Sequence, residues 1–341
     1  MPELTPVRKK MRLVSAYLRG FPIWCSWQVT YACNYRCCIC SYWKEEVNWS
    51  PQARAREASV EDIRLGASKL AQLGSLLISV AGGEPFLRND LSDIVAAIAE
   101  QHFPLLTTNG SLVTEQRATD LWQAGLVGVS VSLDFDNAEG HDSNRGVRGA
   151  FERAKRAVTI LSRTRKHSYQ RVNVLCVLNE RNLQEVESLI RFAATNDASF
   201  MIQPYTTMKN GVRDHVPQSK SSEHLLALKR RYRNFVSNPY SLARFDTFYE
   251  ERGVTACKAG RAFFNVDNFL NVQKCVEFRS EAIGNLRELD MKHMVRMLRR
   301  ENARNKCKAC WYNCRGEIEA LYSARGLLRS VPLLVRHALH G

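Results

Sequence analysis

Residues 31–43 read YACNYRCCICSYW. In this stretch Cys33, Cys37 and Cys40 are spaced C-x3-C-x2-C. Three thiolates from one short loop can hold three corners of a cubane iron–sulfur cluster. Four cysteines are the usual complement, so such a loop leaves one iron open to a small chelating molecule. The same spacing alone would also suit zinc. Cys38 offers a second register, in which it replaces Cys37.

The loop closes the first of six short β-like runs: Trp27–Tyr31, Leu76–Ala81, Leu105–Thr108, Val127–Leu133, Arg171–Leu178 and Phe200–Tyr205. Each is apolar or β-branched and ends at turn or polar residues. Helical patterns alternate with them: residues 59–73, 90–101, 114–124, 149–164, 182–195 and 222–236. The first opens on Ser-Val-Glu-Asp, a capping-box pattern. Strand–helix alternation predicts a parallel sheet with crossover helices. Six units are too few for a closed eightfold barrel. The expected fold class is therefore α/β, a partial (β/α)6 TIM-like barrel with ligands at the carboxyl ends of its strands.

Those strand ends carry further signals. Gly82-Gly83-Glu84-Pro85 ends the second run, Thr107-Thr108-Asn109-Gly110 the third, and Ser130-Val131-Ser132-Leu133-Asp134 the fourth. His141-Asp142-Ser143-Asn144-Arg145-Gly146 follows. Together with the cysteine loop, these motifs resemble, in order and at the expected strands, those of the radical S-adenosylmethionine (SAM) superfamily. The resemblance spans roughly residues 25 to 320. It implies that Cys33, Cys37 and Cys40 hold a [4Fe–4S] cluster whose open iron chelates SAM. It also implies SAM contacts at Gly82, Gly83, Glu84, Pro85, Thr108, Asn109, Ser132, Asp134 and Asn173. Arg145 is a suitable partner for the SAM carboxylate, because guanidinium pairs with carboxylate in two parallel bonds. One departure is Ile39, at a position often aromatic in the family.

After Pro239 the pattern changes. Residues 250–320 hold Cys257, Cys275, Cys307, Cys310 and Cys314, a hairpin-like stretch from Phe263 to Cys275, and a basic helix from Asp290 to Ala303. This region resembles the twitch or SPASM extension of the same superfamily. The resemblance implies one auxiliary [4Fe–4S] cluster on Cys257, Cys275, Cys307 and Cys310, in a small C-terminal cysteine-rich domain. Leu270 stands where a glycine is usual. Structural zinc is the alternative for these four cysteines. Cys314 is read as an inert thiol, an alternate ligand or a hydrogen-atom donor. Tyr205, at the sixth strand end, and Cys314 are the catalytic candidates. Cys25 and Cys176 fall in apolar strands and read as core.

The expected organisation is a basic amphipathic segment (1–26), the barrel (27–238), the auxiliary-cluster domain (239–320) and a basic amphipathic tail (321–341). Only some 26 residues precede the first strand, so a winged-helix peptide-recognition domain is not expected there. That points to a small-molecule or lipid substrate, or to a peptide recognised without such a domain. Flavodoxin or ferredoxin is the kind of one-electron donor implied.

The 341 residues carry a net charge of +15, and 45% are hydrophobic. This is globular composition with core enough for one large or two smaller domains. No signal peptide and no apolar run of about 18 residues is present. With eleven cysteines in clusters, the expected compartment is reducing and cytoplasmic. The cations are dispersed and no nucleic-acid module is recognisable, so nucleic acid is not the expected partner. A zinc protein contacting nucleic acid, or a radical SAM enzyme acting on RNA, are the competing readings. The ends, Arg8–Arg19 and Leu327–Leu339, interleave cations with apolar residues in a way that suits peripheral membrane contact.

Overall fold

The computed structural model describes residues 4–44, 50–251, 253–323 and 327. Nine strands form one sheet: β1 (Trp24–Thr30), β2 (Leu77–Gly82), β3 (Phe103–Thr108), β4 (Gly128–Ser132), β5 (Arg171–Leu178), β6 (Ser199–Pro204), β7 (Phe263–Val266), β8 (Asn271–Gln273) and β9 (Ala282–Asn285). Their order is β6-β5-β4-β3-β2-β1-β7-β8-β9. From β6 to β7 every pairing is parallel, and the last two are antiparallel.

Helices α1 (Pro6–Leu18) and α2 (Pro51–Ala55) flank β1, and crossovers then connect the parallel strands. These are α3 (Val60–Leu70), α4 (Leu91–Ala99), α5 (Glu115–Gln123), α6 (Ala138–Arg145), α7 (Ala150–Thr164) and α8 (Val186–Thr195). The alternation in β5 shows why the layers form. Val172, Val174, Cys176 and Leu178 are buried, while the residues between them are half-buried. One face therefore packs under helices and the other looks into the barrel. At the free edge, Phe200 bonds to Asn234 and Val236 through the backbone, which covers β6. Cys25 and Cys176 lie in the main core, fully buried.

The capping box at α3 is present: Ser59 Oγ accepts from Asp62 N–H and Asp62 accepts from Ser59 N–H, both at 3.1 Å. Periodicity did not announce α6, which is short and polar. It is ended by Gly146, whose φ of +65° suits glycine.

After β6 come α9 (Ser222–Arg231), α10 (Pro239–Leu242) and α11 (Phe245–Glu250), and later α12 (Met291–Ala303) and α13 (Asn313–Gly316). The cysteine-rich region is joined to the barrel through the sheet. β7 pairs with β1 in register from Trp24↔Phe263 to Trp27↔Val266, so the C-terminal hairpin extends the barrel sheet. The turn between β7 and β8 puts Leu270 at φ +71°. A left-handed conformation costs a leucine roughly 1–2 kcal/mol. Its side chain is fully buried in the main core, which offsets that cost. Among the described residues, no helix is long and apolar enough to cross a membrane. Apart from Leu327, the segment Leu327–Leu339 lies outside the described residues.

Candidate functional site

The strand ends surround a cavity of about 1030 Å³ counted with its open mouth. Cys33, Cys37 and Cys40 line it, and Cys38 does not. The loop is held so that these three face inward. Cys38 N–H donates to Asn144 O at 3.0 Å, and its thiol meets Asn144 Oδ1 at 3.1 Å. Trp43 Nε1 donates to Cys37 O at 3.0 Å. Gly146 is required at this junction, since a Cβ there would stand 2.3 Å from Arg36 O. The second register, with Cys38 in place of Cys37, is thus turned away by Asn144.

Gly82, Gly83, Thr108, Asn109, Ser132, Arg145 and Tyr205 also line the cavity. The reason for glycine at 83 is an approach between protein segments. Its N–H donates to Thr30 O at 2.9 Å, and a Cβ would lie 2.0 Å from Ala32 O.

Glu84, Pro85, Asp134 and Asn173 are not among the residues that line the cavity. Glu84 is fully buried and turned inward. Its Oε1 accepts from Phe86 N–H (3.1 Å) and Thr108 Oγ1 (2.7 Å), and its Oε2 from Asn109 N–H (2.7 Å). Burial pushes its carboxyl above the ordinary range, against the pull of those donors. Glu84 therefore ties the end of β2 to the end of β3. Asn109 in turn donates to Asn34 Oδ1 in the cysteine loop at 2.9 Å. Asn173 reaches Ser130 Oγ at 3.4 Å.

Asp134 accepts from Asn144 Nδ2 (2.6 Å) and Val177 N–H (2.9 Å) and pairs with Arg145 at 2.7 Å. Burial works against the Arg145 charge, but Asp134 and Cys37 hold it protonated. Its Nε is buried and has no hydrogen-bond partner. A buried donor left open is costly. The residue as a whole lines the cavity, with Cys37 as a side-chain hydrogen-bond partner.

Burial pushes the Cys33 thiol up to about 12 and the Cys37 thiol up to about 11. Such thiols ionise only when a cationic partner arrives, as iron does. Among the described residues no three Cys, His, Asp or Glu side chains converge closely enough to hold one metal ion. A cubane needs no such convergence, because each of its irons takes a separate thiolate. Three cysteines of one loop and the Arg145 guanidinium lining the same cavity suit a three-cysteine cluster with a carboxylate-bearing ligand.

Comparison with known proteins decides the family. Residues 27–193 match the model described as the radical SAM superfamily. The chain belongs to the radical SAM superfamily. It is 27% identical over 286 residues to the mycofactocin maturase MftC of Mycolicibacterium smegmatis, covering 80% of this chain and 69% of that one. It is 24% identical over 332 residues to the AdoMet-dependent heme synthase of Nitratidesulfovibrio vulgaris, covering 88% of each. The fold is similar to that of Streptococcus suis SuiB bound to the precursor peptide SuiA, with a TM-score of 0.61 at 15% identity over 84% of this chain and 67% of that one. The protein is thus a radical SAM enzyme, using SAM and a [4Fe–4S] cluster.

The second cysteine set gathers on the other side of β1. Cys257 and Cys275 are buried in a small apolar cluster, and Cys307 and Cys314 pack against it. Cys310 is buried as well. Cys314 is not among the residues that line the cavity. Burial, followed by the neighbouring Cys310, Cys275 and Cys257, raises its thiol well above the usual range. Arg315, fully buried, staples this region: Nη1 donates to Cys310 O at 2.8 Å, Nη2 to Val254 O (2.8 Å) and Thr255 O (3.0 Å), and Nε to Glu319 Oε1 at 3.1 Å.

Tyr205 contributes its ring to the cavity wall, but its hydroxyl faces Asn210 Oδ1 (2.5 Å) and Val212 O (2.7 Å). It shapes the wall; its proton is committed to those acceptors.

Sequence reasoning missed a half-buried polar group between the two cysteine regions. Lys209 and Tyr312 both line the cavity. Lys209 Nζ donates to Tyr42 Oη at 2.7 Å and pairs with Glu277 at 2.9 Å, and Tyr312 Oη donates to Glu277 at 2.9 Å. Each lies two residues from a cysteine (Tyr42 after Cys40, Glu277 after Cys275, Tyr312 after Cys310) except Lys209, which follows β6. Only that adjacency was a usable signal.

Proposed function

We propose that this enzyme oxidises a C–H bond of a peptide, with Cys257, Cys275 and two of Cys307, Cys310 and Cys314 holding one auxiliary [4Fe–4S] cluster that accepts the electron. The observation carrying this reading is the reach of one cavity. It runs from Cys33, Cys37 and Cys40 to Tyr312, between Cys310 and Cys314. A substrate lying there touches both cysteine regions.

When bound, the cluster and SAM supply a one-electron reductive cleavage that gives methionine and a 5′-deoxyadenosyl radical, which takes a hydrogen atom from the substrate. The chain's own residues do the positioning. Arg145, braced by Asp134 and lining the cavity, is the cation for the SAM carboxylate. The backbone at Gly82–Gly83, Thr108–Asn109 and Ser132 forms the wall against which the rest of SAM lies. Glu84 and Asp134 act through these neighbours as positioning residues.

A peptide is favoured because MftC, a maturase, matches over 80% of this chain. The heme synthase match, which covers 88% of both chains, supports a second reading, a carboxylated tetrapyrrole. A flavodoxin or ferredoxin is the proposed electron donor.

The test is anaerobic reconstitution with iron, sulfide and zinc analysis, then 5′-deoxyadenosine release in the presence of candidate peptides or a carboxylated porphyrin. About eight irons and eight sulfides per chain are expected. About four irons, with or without one zinc, would remove the auxiliary cluster from the proposal. Stimulation by the porphyrin and by no peptide would reassign the substrate.

A further inference from the structure

Helix α1, PVRKKMRLVSAYL, is docked with its polarity reversed. A surface helix ordinarily turns its aliphatic stripe to the core and its charges to water. Here Val7, Met11, Val14 and Leu18 are 67%, 67%, 56% and 77% exposed. Their spacing of four, three and four residues puts them in one stripe, roughly 16 Å long at 1.5 Å per residue. Among the described residues seven large hydrophobic side chains are exposed, and four of them form this stripe. Single exposed aliphatics need no explanation, but an aligned group does.

The docked face holds two of the cations, Lys9 and Arg12. Lys9 is only 8% exposed and donates to Ala99 O, the last residue of α4. Arg12 donates to Ala71 O, the C-cap of α3. Both cations thus satisfy carbonyls at helix C-termini, where positive charge is favourable. Tyr17 Oη donates to Leu321 O at 2.5 Å, and Ala16 is fully buried. These contacts fix the helix's rotation. To roll the stripe inward, the helix would have to break the bonds to Ala99 O and Ala71 O.

The rim of the stripe is cationic. Arg8, Lys10 and Arg19 are exposed, and the helix contains no Asp or Glu. We infer that α1 lies flat on an anionic lipid surface, with Val7, Met11, Val14 and Leu18 in the interfacial layer and Arg8, Lys10 and Arg19 on the headgroups. Charge complementarity selects this occupant over a second copy of the chain. The stripe's spacing would also suit a two-helix seam, but Arg8 and Lys10 would then flank it on both helices with no acidic residue of α1 to meet them. Anionic headgroups supply the missing charge. The inference is independent of the catalytic reading, because no residue of α1 lines the cavity.

The test is flotation of the full chain with phosphatidylcholine vesicles, with and without roughly one third phosphatidylglycerol. Recovery with the anionic vesicles should exceed that with neutral ones by about tenfold or more. The variant Met11→Glu/Leu18→Glu should fall to the neutral background with an unchanged circular dichroism spectrum and melting temperature, since both side chains are exposed. Arg8→Gln and Lys10→Gln should each weaken binding about fivefold. Three results would each overturn the inference: no flotation of the wild type, equal flotation of the Met11→Glu/Leu18→Glu variant, or a dimer in light scattering that this variant dissolves.

Discussion

Replacing Glu84 tests whether its role is to join two strand ends. In Glu84→Ala, three buried donors lose their acceptor: Phe86 N–H, Thr108 Oγ1–H and Asn109 N–H. An unsatisfied buried donor costs about 1–3 kcal/mol. Relief of the buried carboxyl, whose proton affinity burial has raised, works in the other direction. A net loss of about 3–4 kcal/mol is expected, allowing for that relief and for water entering the space. At about 2 °C per kcal/mol for a large domain, the melting temperature should fall by roughly 6–8 °C. Glu84→Gln should be milder, by about half. Its amide oxygen can keep Phe86 and Thr108, while its NH₂ faces the Asn109 N–H. The consequence for function runs through Asn109, which also anchors Asn34 of the cysteine loop. SAM affinity, measured by calorimetry on reconstituted protein, should drop about tenfold in the Ala variant, equivalent to roughly 1.4 kcal/mol. A Glu84→Ala protein melting within about 1 °C of wild type, with unchanged SAM affinity, would refute the reasoning. So would a Gln variant as damaged as the Ala variant.

Lys209→Met should destabilise by about 1–3 kcal/mol, because it leaves the half-buried Glu277 carboxylate without its cation. Lys209→Met/Glu277→Leu should recover most of that loss, and thermal melts of the two proteins check it. Asp62 caps α3 and pairs with Arg287 through two contacts of 2.8 Å, and the Arg287 hydrogen bond is the main reason its carboxyl falls to about 2. Because the folded value lies below the unfolded one, this contribution is present above about pH 4 and is lost as the pH falls towards 2. Asp62→Asn should therefore cost about 1–2 kcal/mol at neutral pH and nothing at pH 2, if melting temperatures are compared across that range.

The strand ends were legible because their residues are contiguous. The run from Arg171 to Leu178 alternates in sequence and in burial alike. The Ser59–Asp62 cap is a three-residue relation and appears as expected. Helix α6 was not legible. It is held by Asp134 meeting Arg145 and Asn144, partners brought in by tertiary packing, and hydrophobic periodicity carries no trace of them. The Lys209–Glu277–Tyr312 group was hidden for the same reason, since its members are spread over a hundred residues of chain.

Local chemistry alone determined that this chain would build parallel strands ending in a cysteine loop and glycine-rich turns, because period, spacing and residue type act over a few residues. Only the tertiary structure decided which atoms of those motifs face the cavity. Asn144 turns Cys38 aside, Phe86, Thr108 and Asn109 draw the Glu84 carboxylate inward, and core burial holds Leu270 in a left-handed turn that its own backbone preference opposes. It also decided that α1 would turn Lys9 and Arg12 onto the protein and leave Val7, Met11, Val14 and Leu18 exposed. The carbonyls that capture Lys9 and Arg12 belong to helices 59 or more residues away, and no local pattern records them.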